Sequence, residues 1–233
     1  MLISLFMTRL VSNSRAVFFY IHFKVMDAIP FHDKLKSEKL NFVQRTRFAC
    51  HFARLYCMAW SPNSKLVISA AQDGMRMWKA SNGKQLAKYK LVSGFVMSCD
   101  FSPTGSLVIS GGLDNQVSIF KVPPRNSNNI KNAIKPTSFL TGEHDCYVSC
   151  CKFVYSDRHV LTSSGDKSCI LWDVELGKAI MKYNQSFSDE MSVAICPNNS
   201  NLFISGGCDA ILNVWDLRTA KRVQCFANYH NLD

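Results

Sequence analysis

The string "SGGCDAILNVWD", Ser205 to Asp216, sets a Trp-Asp pair six and seven residues after an aspartate, and the same frame recurs three times upstream. It recurs as "TSSGDKSCILWD" from Thr162, as "SGGLDNQVSIFK" from Ser110 and, shortened, as "SAAQDGMRMWK" from Ser69. Anchored on Asp73, Asp114, Asp166 and Asp209, the periods are 41, 52 and 43 residues. Such a period constrains the fold more than any single residue, because each unit must bury its apolar face against a neighbouring copy.

Each unit reads as strands and turns. The first runs "LYCMAW", "SPNSK", "LVISAA", "MRMWK" and "KQLAKYK"; the next repeats it as "VMSCDF", "SPTGS", "LVISGG" and "VSIFKV". The third and fourth follow as "YVSCCKF", "YSDRH", "VLTSSG", "SCILWD" and "MSVAI", "CPNNSN", "LFISGG", "ILNVWD". Pro, Asn, Asp, Ser and Gly fill the turns, and β-branched and aromatic residues fill the strands. Periods near 40 to 45 residues with a terminal Trp-Asp predict four-stranded propeller blades in an all-β protein. The longest interval holds a loop-like insert, "PPRNSNNIKNAIKPTS".

Within this frame the aspartates have structural work. Asp73, Asp114, Asp166 and Asp209 follow the second strand of each unit, where a tight turn leaves backbone N–H groups for a carboxylate to accept. A hydroxyl stands four residues earlier each time, at Ser69, Ser110, Thr162 and Ser205. A histidine stands 22 residues earlier in two units, at His51 and His144. With Trp78, Trp172 and Trp215 these groups can form buried polar networks, which satisfy atoms otherwise costly to desolvate. His51, Ser69 and Asp73 also suggest a nucleophilic triad. A catalytic set needs to exist once beside a cleft, whereas this one recurs at the blade period, so the reading is structural and non-enzymatic. The sequence contains no phosphate loop, HExxH or paired metal-ligand motif, and no cofactor or metal is expected.

Composition narrows the partners. With 47% hydrophobic and 19% charged residues, the 233-residue protein is ordinary globular material. Ten cysteines without a CxxC pair, mostly inside apolar runs, read as buried reduced thiols of an intracellular protein. The net charge of +10 is scattered, with no basic run, and does not predict nucleic-acid binding. Much of the excess lies in residues 1–54, with nine Lys or Arg against three acids. The opening "MLISLFMTRLVSNSRAVFFYIHFKVM" has two apolar bursts, each too short to span a membrane, and lacks a signal-peptide layout. Met26 offers an alternative start that would leave residues 1–25 outside the fold. Residues 1–44 are expected to be an irregular or short-helical extension, and 45–233 four blades.

The residues resemble the WD-repeat family and, more closely, the β subunit of heterotrimeric G proteins. The resemblance is carried by "RTRFACHFARLYCMAW", "SGFVMSCDFSPTG", "GGLDNQVSIF", "YVSCCKF", "LTSSGDKSCILWDVELGK", "DEMSV" and "SGGCDAILNVWDLR" across residues 45–233. It implies a seven-bladed propeller of which this protein holds four, behind an N-terminal helix that coils with a γ subunit. It also implies binding of a GDP-bound α subunit and of effectors, in the cytoplasm or at the inner face of the plasma membrane through those partners. The matching contact positions are Tyr56, Met97, Leu113, Asn115, Tyr147, Asp189, Met191 and Asp233. Arg54 stands where the family has lysine and Phe95 where it has tryptophan. Methionine and aromatic side chains beside strand starts suit a hot-spot surface, and their competing reading is inner-strand packing.

The departures carry equal weight. In the first unit Trp78 lies five residues after Asp73, Lys79 replaces the second letter of Trp-Asp, and Met75 replaces a family lysine. The one-residue deletion reverses side-chain facing unless a turn or bulge absorbs it. The second unit ends in Phe120-Lys121, and "DKLKSEKLNFV" offers at best a short helix instead of a γ-binding coil. Against that seven-bladed pattern blades five to seven are expected to be absent, so the exposed inner faces of blades one and four should be apolar patches, and "RTRFACHF" should lack its partner strand. Two further readings follow: a WD scaffold that has lost γ pairing, or a truncated product without function.

Overall fold

The computed structural model describes residues 51–124, 132–184 and 186–227, with the backbone of 2–6 and 22–26. The protein divides into two compact units, Met1–Arg45 and Thr46–Asp233. In the first, β1 (Leu2–Phe6) pairs antiparallel with β2 (His22–Met26), Leu2 opposite Met26. The first apolar burst thus supplies a strand, and β2 takes only His22 and Phe23 of the second, where an irregular or short-helical segment is expected. The expected short helix over 33–43 and residues 45–50 of "RTRFACHF" lie outside the described residues.

The second unit contains four four-stranded antiparallel sheets, each a propeller blade built from one sequence repeat. Blade one comprises β3 (Leu55–Trp60), β4 (Leu66–Ala71), β5 (Gly74–Lys79) and β6 (Gln85–Tyr89). Blade two comprises β7 (Val96–Phe101), β8 (Leu107–Gly112), β9 (Val117–Lys121) and the short β10 (Ser138–Leu140). Blade three holds β11 (Val148–Phe153), β12 (His159–Ser164), β13 (Cys169–Asp173) and β14 (Lys178–Tyr183). Blade four holds β15 (Glu190–Ile195), β16 (Leu202–Gly207), β17 (Leu212–Asp216) and β18 (Arg222–Phe226).

Three cores lie between successive blades. Ile68, Met75, Met77 and Tyr89 of blade one pack on Cys99, Val108 and Phe120 of blade two. Ile109 and Ile119 meet Val148, Ile170 and Trp172, and Leu161 and Tyr183 meet Phe203 and Trp215. A middle strand such as β12 is buried along nearly its whole length because both faces of its sheet are covered, hence its nearly unbroken apolar and small residues. Four cysteines, Cys99, Cys150, Cys151 and Cys169, are buried thiols, as expected. Cys208 and Cys225 are exposed, the first in a turn and the second on an outer strand that is exposed throughout. On the other face of blade four Ala194 and Ile204 are exposed beside half-buried Leu212 and Val214, and no sheet of the described residues covers them.

The deletion in the first repeat is absorbed by a turn. In blade three, Ser163 pairs with Cys169 around the turn that carries Asp166; in blade one, Ala71 pairs with Gly74 and only Gln72 and Asp73 intervene. Trp78 therefore still sits opposite Val67, two residues before Ser69, as Trp172 sits opposite Val160, two before Thr162. Gly74 follows the shortened turn at φ 113°, a conformation closed to side-chain-bearing residues. The longer turns instead place Asn115, Lys167 and Ala210 in the left-handed region, at φ 59°, 68° and 57°. Asparagine tolerates that region and alanine does not. Ala210→Gly is therefore expected to stabilise the protein by about 0.5–1 kcal/mol, read as a higher urea midpoint.

The insert of the second repeat has a task that its loop-like composition conceals. Ile134 accepts from Lys90 N–H at 2.7 Å and donates to Lys88 C=O at 2.8 Å, forming a parallel bridge to Tyr89. Blade two thus pairs with the outer strand of blade one as well as packing on its core.

Candidate protein-interaction site

The repeat hydroxyls and tryptophans meet within three of the four blades, and the aspartates join them in blades one and three. In blade three the Trp172 indole N–H donates to Thr162 Oγ1 at 2.9 Å, and the Thr162 hydroxyl lies 2.7 Å from His144 Nε2. His144 Nδ1 lies 2.8 Å from Asp166, which also accepts from Asp145 N–H and from Ser168. Blade one repeats it: Trp78 donates to Ser69 Oγ at 2.8 Å, Ser69 meets His51 Nε2 at 2.7 Å, and His51 Nδ1 bonds Asp73. Arg76 also donates to Asp73, at 3.0 Å.

Blade four solves the same problem differently. Trp215 donates to Ser205 Oγ at 2.8 Å, and Ser205 donates to Glu190 Oε1 at 3.1 Å, where Ser186 donates too. Glu190 thus takes the acceptor role that histidine holds elsewhere, while Asp209 accepts from Ile211 N–H in the turn. Blade two has no such network through an indole, since Phe120 offers no N–H to Ser110; Asp114 accepts a long 3.4 Å bond from Gln116. The repeat pattern does not single out Glu190, yet it carries a signal: the matching first-strand positions are Leu55, Val96 and Val148, so a carboxylate there is anomalous.

These networks shift the carboxyls in opposite directions. Burial pushes Asp166 up, but hydrogen bonds from His144 and Ser168 outweigh it and hold the carboxyl well below its usual range. Burial raises Glu190, and its Ser186 and Ser205 donors do not offset this; its Oε2 is buried without a hydrogen-bond partner. Asp166 therefore contributes stability above the ordinary carboxyl pKa of about 3.9, lost as pH falls through its depressed folded value. Glu190 has the opposite sign: its contribution is full below about 4.3 and is lost as pH rises through its raised folded value. Glu190→Gln is expected to reduce the stability lost as pH rises above the ordinary carboxyl value of about 4.3, measured by urea unfolding at a series of pH values.

The candidate contact residues occupy few repeat positions. Arg54, Phe95, Tyr147 and Asp189 each offer a backbone C=O to the N–H just past the second strand, from Gln72, Leu113, Gly165 and Cys208, at 3.0–3.2 Å. Tyr56, Met97 and Met191 are the extra residues of the bulges between Leu55 and Cys57, Val96 and Ser98, and Glu190 and Ser192. A bulge leaves its residue out of the strand ladder and re-aims the side chain. Leu113 and Asn115 lie on the neighbouring turn of blade two. Phe95, Leu113 and Met191 are 38%, 48% and 40% exposed, Arg54 is exposed, and the others are half-buried.

Cross-blade bonds join part of this set. The Tyr147 hydroxyl donates to Asp189 Oδ2 at 2.8 Å and approaches Met191 Sδ at 3.7 Å. Burial and the Asp189 bond push its pKa up to about 12, so it remains a neutral donor. Asn115 donates to Asp145 C=O at 3.2 Å, which ties blade two to blade three. Gly112 permits the edge to close at blade two, since a Cβ there would lie 2.0 Å from Phe95 C=O. Arg54 and Tyr56 share the blade-one edge without a side-chain bond to the other described members of the set, and Asp233 lies outside the described residues.

The family model described as WD domain, G-beta repeat matches residues 42–78, 83–121, 134–173 and 181–216. Over 190 residues the protein is 38% identical to the guanine nucleotide-binding protein subunit beta of Solanum tuberosum, covering 78% of this chain and 50% of that protein. It is 40% identical over 179 residues to the Arabidopsis thaliana subunit beta, covering 74% and 47%, and 39% identical over 181 residues to subunit beta-2 of Nicotiana tabacum, covering 75% and 47%. The chain spans about half the length of the curated relatives it matches. Four repeats of blade period, each folded as a four-stranded sheet and each matched by that model, make this protein a member of the WD-repeat family.

Proposed function

We propose that this protein is a non-enzymatic β-type subunit of a guanine nucleotide-binding protein. Its blade edge receives a GDP-bound α subunit and, after release of that subunit, effectors. The observation that carries this reading is the edge itself. Bulged Tyr56, Met97 and Met191 lie there with Phe95, Leu113 and the Tyr147–Asp189 pair, a mixture of aromatic, methionine and satisfied polar groups suited to a hot-spot surface. The similarity to guanine nucleotide-binding protein β subunits names the class of partner. Action at the inner face of the plasma membrane is through those partners, and among the described residues no helix is long and apolar enough to cross a membrane. The test is retention of the full-length protein by an immobilised GDP-bound α subunit, with and without a γ subunit. Retention in at least one format is expected, and absence from both sinks the reading.

A second reading is a WD scaffold that recruits protein partners without γ pairing. It is favoured by Met75, which stands where the resembling family has lysine and is buried in the core between blades one and two. Binding to the α subunit that requires γ would overturn it.

A further inference from the structure

We propose that Cys57 and Cys99 form a peroxide-responsive thiol pair that closes into a disulfide between blades one and two. The two lie on the first strands of adjacent blades, 42 residues apart, and both project into the core that these blades share. Cys57 Sγ lies 3.6 Å from the Cys99 carbonyl oxygen, and the Cys57 side chain packs against the core cluster that contains Cys99. Their placement follows from a recurring contact. Cys57, Ser98 and Cys150 hold the same repeat position, and each meets the backbone of the next blade: Cys57 at Cys99 C=O, Ser98 at Cys151 N–H and Cys150 at Val193 C=O. At the first of these junctions the backbone partner is itself a cysteine.

The surroundings divide the labour between the two sulfurs. Cys99 is buried and its thiol is pushed well up by that burial. Cys57 is half-buried; the Cys99 side chain, aided by the nearby Lys152 ammonium, brings its pKa down to about 6. Lys152 is held in place by Asp100, 3.4 Å away, which also accepts from Phe153 N–H at 3.1 Å. A thiolate beside a cation is the nucleophilic form of cysteine. The Cys57 thiolate attacks one oxygen of hydrogen peroxide; the S–O bond forms as the O–O bond breaks, and hydroxide leaves and takes up a proton as water. The Cys99 sulfur then attacks the Cys57 sulfenic sulfur, forming the S–S bond as the second oxygen departs as water with the Cys99 proton. Two thiols and one peroxide give one disulfide and two waters. The bond would join the strands that carry Tyr56 and Met97.

The full-length protein is treated with hydrogen peroxide at neutral pH, alkylated, cut with trypsin and analysed by mass spectrometry. Peptides 55–65 and 91–121 each contain one cysteine and should appear joined, with a mass about 2 Da below their sum. Cys99→Ala should abolish the joined peptide and leave a Cys57 sulfenic acid trapped by dimedone. In unoxidised protein, Cys57 alkylation should be half-maximal near pH 6 and shift to higher pH in Cys99→Ala and in Lys152→Gln. The last variant keeps both sulfurs and guards against a folding defect in the other. Cys57 oxidised without joining Cys99, Cys57 joined to Cys150 instead, or an alkylation midpoint near the ordinary thiol value of about 8.5 overturns the proposal.

Discussion

Trp172→Ala is expected to destabilise the four-blade unit by about 3–5 kcal/mol, the usual cost of removing a buried aromatic side chain. The indole is 1% exposed, packs in the core between blades two and three, and lies with its ring centre 5.9 Å from that of His144. Its removal opens a cavity and takes away the N–H donor to Thr162 at 2.9 Å. For a unit of this size the loss corresponds to roughly 6–20 °C in the thermal midpoint. Circular dichroism in the strand region is the suitable probe, since indole fluorescence changes with the mutation itself. Trp172→Phe separates the contributions: most of the volume stays, the N–H is lost, and a cost of about 1–2 kcal/mol is expected. A loss below about 1 kcal/mol for the alanine variant would show that the polar network of blade three does not organise its core.

Tyr147→Ala is expected to weaken binding of the GDP-bound α subunit about 30-fold or more, the effect of a hot-spot tyrosine worth about 2 kcal/mol. The side chain is half-buried between the start of blade three and Asp189 and Met191 of blade four, so it both offers surface and orients its neighbours. Tyr147→Phe keeps the ring and releases Asp189, and should fall between alanine and the unaltered protein. Isothermal titration with the full-length protein reads the affinity, and unfolding midpoints show whether the fold has changed. Equal affinity for all three proteins would remove the blade-three edge from the binding surface.

The two residues differ in how plainly the sequence announces them. Trp172 stands out because it closes a motif with a fixed offset from Asp166, and the offset is local strand-and-turn geometry. Tyr147 is marked only by resemblance. Its partners lie in the next repeat, 42 and 44 residues away, and no local period ties a tyrosine to an aspartate at that distance. Glu190 lies between these extremes. A charge at a position otherwise held by Leu55, Val96 and Val148 is visible in the sequence, but its use is evident only where Ser186 and Ser205 converge on it.

The shortened first repeat makes the same distinction. A deletion between Asp73 and Trp78 threatens the facing of a whole strand, and sequence alone leaves the turn and the bulge as alternatives. The fold resolves it at the turn, where Gly74 accepts an otherwise forbidden backbone angle and Trp78 keeps its bond to Ser69. The insert around Ile134, loop-like by composition, closes a bridge to Tyr89 for a reason that composition cannot encode: its hydrogen-bond partners belong to another repeat.

By itself the sequence determined the first three strands of each blade, the turns between them, the four-unit period and the pairing of tryptophan with hydroxyl inside a blade. Each depends on residues close along the backbone or at fixed offsets, where local geometry leaves little choice. Only the tertiary structure decided how blades join: Tyr147 to Asp189, Asp100 to Lys152, Ile134 to the outer strand of blade one, and Cys57 facing Cys99. Those contacts arise where two repeats of different sequence are pressed together. Burial and hydrogen bonding there are set by the neighbour, which the local pattern of either repeat does not specify.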